Sequence, residues 1–427
     1  MSENFAFTIC TVSYIGLAKV LEKSITKYNS DIDFYIFLID ENNDNKTIPS
    51  NCYFIKDMNL FSNKQWVELS FKYTVTEFCT CLKPYIFNWI FQNKNYNYGC
   101  YFDPDLFFYD STDCIFKILK KYLICLTPHF VTFPENEQSK KFEDEIRSAG
   151  LYNLGFLGLQ KHSKTTKMLE WWGHNLIDKG FDDPRKFQFT DQKWMDFTSI
   201  FFDTSELYIT KNLGWNVAAW NYFERKVFIK NNEIMIQNRN GVESDKLLFV
   251  HYSGYDYKKL LNHEKIQKNK GHEQDYDDVQ IILDKYEKAL LQDKEEFLSY
   301  LNVNYTYDLY SNGTNIEKAH RTLFKSLLIN NFSKMLDNPF DSEGIFFKTL
   351  KQKKLISKKS NVNTMINIQK EDKKYVMNKL RKINLLMKII FNLIGYDKYL
   401  ILLRFLRRYS AIENHTFLLD NNFISWE

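Results

Sequence analysis

The sequence predicts an α/β protein: a strand-and-helix domain on a largely parallel sheet, followed by a mostly helical C-terminal extension. Three observations predict it. Apolar runs bounded by turn residues alternate with segments of helical periodicity through residues 1–260. Beyond that point amphipathic helical patterns replace the strands. Hydrophobic residues make up 44% of the 427 and aromatics 17%, ample for a large core, which excludes an intrinsically disordered chain. Only 14 glycines and 7 prolines are present, which excludes collagen-like and low-complexity architectures.

In chain order, residues 5–12 (FAFTICTV) form an apolar run that reads as a buried strand. From Gly16 to about Tyr28, Leu17, Val20, Leu21 and Ile25 recur at helical spacing. Residues 33–40 (DFYIFLID) read as a second buried strand, with a short one near 52–56. The 76–92 stretch reads as a helix despite Pro84. Residues 98–105 (YGCYFDPD), 122–127 and 152–159 are further strands, and Ser163 is placed to cap the next helix. Residues 226–237 read as a hairpin about Asn231-Asn232, because Asn tolerates positive φ. Residues 247–254 form the last strand, and 275–291 carry one apolar helical stripe. The expected domains are 1–260, a helical accessory region 261–350 and a basic segment 351–427.

Charge is unevenly placed. The net charge is +4, but residues 351–410 carry 16 Lys/Arg against three acids, and residues 1–350 sum to −6. A body of that sign is a poor nucleic-acid binder, since a basic footprint should cover the binding face. Between 375 and 409, cationic and apolar side chains interleave. This suits either a helix on an anionic membrane surface or one packed on the enzyme with a solvated basic face. Lys388, Asp397, Lys398 and Arg404 interrupt 383–406, so it falls short of a membrane span. The seven cysteines all precede residue 126, mostly inside apolar runs, and read as reduced, buried thiols. MSENFAFTIC has no basic n-region or cleavage site, so a cytoplasmic protein is expected, with attachment to a membrane surface left open.

The chemistry-bearing feature is Asp103-Pro104-Asp105, at the end of an apolar strand. Two carboxylates there project into the crevice where open α/β sheets bind ligands, and together suit a hard divalent cation. Asp31-Ile-Asp33 and Asp275-Tyr-Asp277 share the spacing, but neither follows a long buried strand. Taken alone, the pair reads equally as cation ligands or as a surface turn with Asp capping a backbone amide.

Tyr101-Phe102-Asp103-Pro104-Asp105 resembles the D-x-D element of glycosyltransferases with the GT-A fold, most of all family 8 and related bacterial polysaccharide enzymes. Further elements follow in family order. Tyr152-Asn153-Leu154-Gly155 resembles the N-x-G strand, Asp191-Gln192 the D-Q pair, Trp220-Asn221 a W-N turn, and His251-Tyr-Ser-Gly254 the H-F-x-G motif. The resemblance covers roughly residues 5–256. It implies that Asp103, Asp105 and His251 hold Mn²⁺ or Mg²⁺, and that Asp103 also meets the donor diphosphate. Asn153 and Gly155 would line the donor-sugar pocket, with Asp191 and Gln192 the catalytic pair beneath it. Thr11, Ser13, Tyr14 and Asp40, at the first two strand ends, would meet base and ribose. The donor implied is a nucleotide-diphosphate-sugar, UDP-linked by preference, and the acceptor a glycan or lipid-linked glycan. Lys83 could reach a phosphate, although a surface lysine is the default. His129, Trp220 and Asn221 are candidates for the acceptor side.

Two departures stand out. Lys193 occupies a position where family 8 often has a third acid, and Lys258 stands off the spacing of the usual phosphate-binding lysine. Retention of anomeric configuration is expected, with inversion using Asp191 as base the alternative. A nucleotidyltransferase needs a glycine-rich phosphate loop, which Thr11-Val-Ser-Tyr-Ile-Gly16 lacks. A membrane-docked interaction protein on an inactive transferase fold is the reading from outside enzymology, and the intact Asp103, Asp105 and His251 count against it. The Lys/Asn/Ile-heavy composition fits a bacterial source.

Overall fold

The computed structural model describes residues 2–42, 48–132, 143–144, 146–257, 259, 276–330, 337–356 and 373–419. The chain forms two compact units, Met1–Trp66 with Val75–Thr306, and Val67–Thr74 with Tyr307–Glu427.

The first unit is α/β. Its strands are β1 (Asn4–Cys10), β2 (Asp33–Leu38), β3 (Cys52–Phe54), β4 (Tyr98–Phe102), β5 (Leu106–Phe108), β6 (Ile124–Leu126) and β7 (Phe156–Gln160). β8 (Asp182–Asp183) and β9 (Gln188–Phe189) form a small ribbon, and β10 (Leu207–Ile209) follows. A seven-stranded sheet runs in the order β10-β6-β7-β4-β1-β2-β3. Its neighbours are parallel except where β7 runs antiparallel to β4 and to β6. Helices α1 (Ile15–Thr26), α3 (Val75–Asn93), α4 (Asp113–Leu119) and α5 (Ser163–Lys179) intervene, while α2 (Asn63–Lys72) passes at Val67 from the residues of the first unit to those of the second.

The apolar runs form strands because both faces of the sheet are covered. All six residues of Phe5–Cys10 are buried, and so are Phe34 and Ile36–Leu38. On one face Ala6, Ile36 and Cys100 pack with Leu21 and Ile25 of α1. On the other, Phe7 meets Phe37, Phe87 and Tyr101 edge to face, at centroid separations of 4.7–5.8 Å.

Several expectations shift by a few residues. The helix expected from Gly16 spans Ile15–Thr26, and Pro84 lies inside a helix that continues to Asn93. The run 152–159 becomes a strand only from Phe156, because Tyr152–Gly155 turn toward the site. His162, not Ser163, caps α5, its Nδ1 accepting from Lys164 N at 3.2 Å. The hairpin is β11 (Arg225–Lys230) and β12 (Glu233–Asn238), with Asn231 and Asn232 at φ 52° and 64°. β13 (Ser244–Lys246) and β14 (Phe249–His251) replace the single strand expected at 247–254. All seven cysteines are free, and Cys10, Cys81, Cys100 and Cys125 are buried; Cys114 is exposed.

Helices α6 (Gln280–Leu290) and α7 (Lys294–Leu301) belong to the first unit. Their Ile282, Tyr286, Leu290 and Phe297 share a core with Leu17, Val250 and Tyr252. The first unit thus includes these two helices and runs to Thr306. The second unit holds α8 (Lys318–Ile329), α9 (Ile345–Gln352) and α10 (Lys373–Tyr409). Phe71, Tyr310, Phe324 and Phe346 form its core. Buried Arg321 donates to the carbonyls of Ser70, Phe71, Tyr73 and Tyr307. No helix among the described residues is long and apolar enough to cross a membrane.

Candidate active site

The site is made by two short strands that leave the main sheet. β4 ends at Phe102, and the chain turns through Asp103-Pro104-Asp105 into β5. The turn closes with Leu106 N donating to Asp103 O at 3.1 Å. β14 pairs antiparallel with β5, which sets His251 opposite Leu106. Tyr252 N donates to Asp105 O at 3.0 Å, so the imidazole arrives beside the acidic turn. β7 lies antiparallel to β4 on the other side, and Asp103 N donates to Gly155 O at 2.8 Å. Residues 103, 153–155 and 251, far apart in sequence, meet through these four strands.

Asp103, Asp105 and His251 each offer one ligand atom, all within 4.8 Å of one another. His251 Nε2 lies 3.1 Å from Asp105 Oδ1 and 3.6 Å from Asp103 Oδ2. Its Nδ1 lies 3.1 Å from Asn153 Oδ1. That oxygen also accepts from Gly155 N and from Asn216 Nδ2, both at 3.2 Å, which fixes the amide as an acceptor. Nδ1 must therefore carry a proton. In the neutral ring the lone pair is then on Nε2, facing the carboxylates. Burial pushes the His251 pKa down, but Asp105 and then Asp103 outweigh it and the net shift is upward. A cation among the three would take over the charge balance that a proton otherwise supplies. Gly155 is required here, since a Cβ on it would stand 2.4 Å from the His251 ring. Two hard carboxylate oxygens with one imidazole nitrogen fit Mn²⁺ or Mg²⁺, leaving positions for oxygen ligands of a substrate.

Beside this cluster lies a buried ion pair. Lys83, on α3, is 1% exposed and sits 2.8 Å from Asp191 Oδ2 and 3.7 Å from Asp103 Oδ1. It also donates to Leu154 O at 2.8 Å and stands 4.1 Å from the Tyr101 ring centroid. The default of a surface lysine is thus overturned: Lys83 links the acidic turn, the Asn153–Gly155 turn and Asp191. Burial raises the Asp191 carboxyl, with Lys83 pulling it back. Thr190 Oγ1 donates to Asp191 Oδ1 at 3.1 Å, and Trp172 Nε1 to its carbonyl at 3.2 Å. Gln192 Nε2 donates to Ala149 O at 3.1 Å.

The remaining expected residues divide into two groups. Near the cluster, Tyr14 is partly exposed, and burial followed by the Asp105 charge pushes its hydroxyl up to about 12. Trp220 lays its ring between His129 and His251, with centroids 5.7 and 5.2 Å away. Its indole N–H has no partner among the described residues. Burial pushes His129 down to about 4. In the second group the polar atoms are already engaged. Asp40 accepts from Val12 N at 2.7 Å and from Thr306 N and Oγ1 at 3.0 and 3.2 Å. Asn221 spends its amide on Ala218 N, His129 O and Asn216 O, each at 2.9 Å. Thr11 and Ser13 share a hydroxyl hydrogen bond of 2.7 Å. Lys258 lies outside the described residues.

Sequence reasoning missed Tyr101 and Asn216. Buried Tyr101 donates its hydroxyl to Asp103 Oδ1 and so aims that carboxylate. Alternation along β4 put Tyr101 and Asp103 on one face, a signal that could have found it. Asn216, at φ 54°, left no pattern in the sequence.

No protein-family model and no curated protein matches the sequence. Among solved structures, the chain is similar to a glycosyltransferase involved in the glycosylation of the major capsid of PBCV-1. That match has 9% identity over 58% of this chain and 92% of the other, with a TM-score of 0.32. It is also similar to the galactosyltransferase LgtC in complex with donor and acceptor sugar analogues, at 14% identity over 59% and 87% with a TM-score of 0.33. A third is the mannosyltransferase Ktr4p from S. cerevisiae, at 10% over 49% and 68% with a TM-score of 0.31.

Proposed function

We propose that this chain is a metal-dependent glycosyltransferase of the GT-A fold. It moves a sugar from a nucleotide-diphosphate-sugar, a UDP-sugar by preference, to a glycan or lipid-linked acceptor in bacterial surface polysaccharide synthesis. One observation carries the reading: Asp103, Asp105 and His251 converge at the end of the central sheet, with His251 Nε2 turned toward both carboxylates. A divalent cation held there supplies charge neutralisation for a leaving diphosphate without proton transfer.

The chain's own residues do the rest. Asn153 keeps His251 in the ligating tautomer, and Gly155 keeps the pocket open beside it. Tyr101 and Lys83 hold Asp103 in place. Asp191 is 2% exposed and paired with Lys83, so it serves better as fixed negative charge beside the anomeric centre than as a base for an incoming hydroxyl. This favours retention over inversion. Tyr14 and Trp220 offer aromatic faces on either side of the cluster.

The test is a screen of UDP-, GDP- and CMP-sugars with Mn²⁺, following release of the nucleotide. Release that disappears in Asp105→Ala and on chelation supports the proposal. Release that survives both contradicts it, and a chain that binds no nucleotide-sugar is an interaction protein instead.

A further inference from the structure

The α10 helix leaves an uncovered apolar surface. Leu385, Leu386, Leu393, Ile401 and Phe405 are each more than half exposed, in a protein whose other large apolar side chains are mostly buried. Gly395, at φ 76°, divides the helix into two segments. In the first, Arg381, Asn384, Lys388 and Asn392 recur every three or four residues and form a polar stripe, while Lys379 and Lys382, near the start of the helix, stand on the apolar side, where long lysine stems can lie along an apolar surface with the ammonium in water. Leu386, Ile390, Leu393 and Ile394 fall on the wide remainder. In the second, Asp397, Arg404 and Arg408 share a face opposite Leu402, Leu406 and Tyr409. Phe391 and Tyr399 meet across the break, with centroids 5.3 Å apart.

We propose that Lys373–Tyr409 lies on an anionic lipid bilayer, with both apolar arcs among the acyl chains and the polar stripes toward water. Charge selects this occupant. The helix carries ten lysines and arginines against a single acid, Asp397. A second copy of the chain would set ten cations against ten. A nucleic acid would satisfy the charges and leave the leucines and isoleucines in water. An anionic lipid surface satisfies both. The segments lie in the interface without crossing, in line with the absence of a spanning helix among the described residues. The proposal stands independently of the catalytic reading.

Flotation of the full chain with vesicles tests it. Recovery is expected with phosphatidylcholine mixed with phosphatidylglycerol, and not with phosphatidylcholine alone. High salt should weaken it. Leu386→Glu with Phe405→Glu should abolish recovery, and Arg381→Glu with Lys388→Glu should lower partitioning by roughly tenfold or more. All four side chains are solvent-exposed, so unchanged thermal melts are expected for both variants. Equal recovery of the variants and the unaltered chain would overturn the proposal. So would a chain that ignores both vesicle types while dimerising through this helix or binding RNA.

Discussion

Two strand ends of the same sheet carry acids, and they are used in opposite ways. Asp40, just beyond β2, is 2% exposed and gives its oxygens to Val12 N, Thr306 N and Thr306 Oγ1. It ties strand to loop. Asp103 and Asp105, just beyond β4, turn their carboxylates toward one another and toward His251. Like charges held together in a half-buried turn repel, and the positive charge that offsets them comes from Lys83 and from a proton on His251, or from a cation that takes the proton's place. The two strand ends differ in what their carboxylate oxygens touch, backbone N–H groups and a hydroxyl at one and an imidazole at the other, and under the proposed function only the second is a ligand site.

The comparison can be broken by substitution. The largest effect is expected at the Asp103–Asp105 end. Asp105→Ala should lower glycosyl transfer about a thousandfold, the several kcal/mol of charge stabilisation a metal supplies. It should change the melting temperature little, because the relieved repulsion with Asp103 offsets the lost contact with His251. A loss of activity that merely tracks unfolding would erase the distinction.

Next is Lys83→Met, which leaves Asp191 buried without its cation. A destabilisation of roughly 3–5 kcal/mol is expected in denaturant titration. A change below about 1 kcal/mol would mean that Lys83 is not the residue joining the site's parts.

Third, His129 sharpens the comparison through pH. Its pKa falls from 6.5 to about 4 on folding, because burial penalises the charged ring. Between those values the unfolded chain binds the proton and the folded chain does not, so stability drops as pH falls through this window. The drop should total about 3 kcal/mol by pH 4. In His129→Phe that part of the acid sensitivity should vanish from melts recorded across the window. An unaltered pH profile would contradict the assignment.

The smallest effect is Asp40→Ala. It should cost about 2 kcal/mol by leaving buried N–H groups unpaired, with activity reduced only through stability. A selective loss of nucleotide affinity at full stability would return Asp40 to the nucleotide site that sequence reasoning gave it.

Much of this was legible in the sequence. Apolar runs between turn residues gave most strands to within a few positions, and Asn231-Asn232 marked its own turn. β7 was found, but its antiparallel direction was not, because a strand buried on both faces looks the same whichever way it runs. Asp103 and Asp105 stood out by position. His251 was found only through the order of motifs, since its approach depends on β5 and β14, two three-residue strands too short to leave a pattern. Lys83 reads as exposed in the sequence because lysine is seldom buried, and its burial rests on partners at Leu154, Asp103 and Asp191 that no local window contains. Helical periodicity in residues 261–350 reads as an accessory region, since it records an apolar stripe and not which core receives it; Ile282, Tyr286 and Phe297 share a core with Leu17 and Val250.

The most direct test of the central claim is a calorimetric titration of the full chain with Mn²⁺. One ion per chain is predicted, bound more tightly when UDP is present and lost in Asp105→Ala while the Asp40→Ala chain still binds it. Equal Mn²⁺ binding by the unaltered chain and Asp105→Ala, or none by either, would contradict the account.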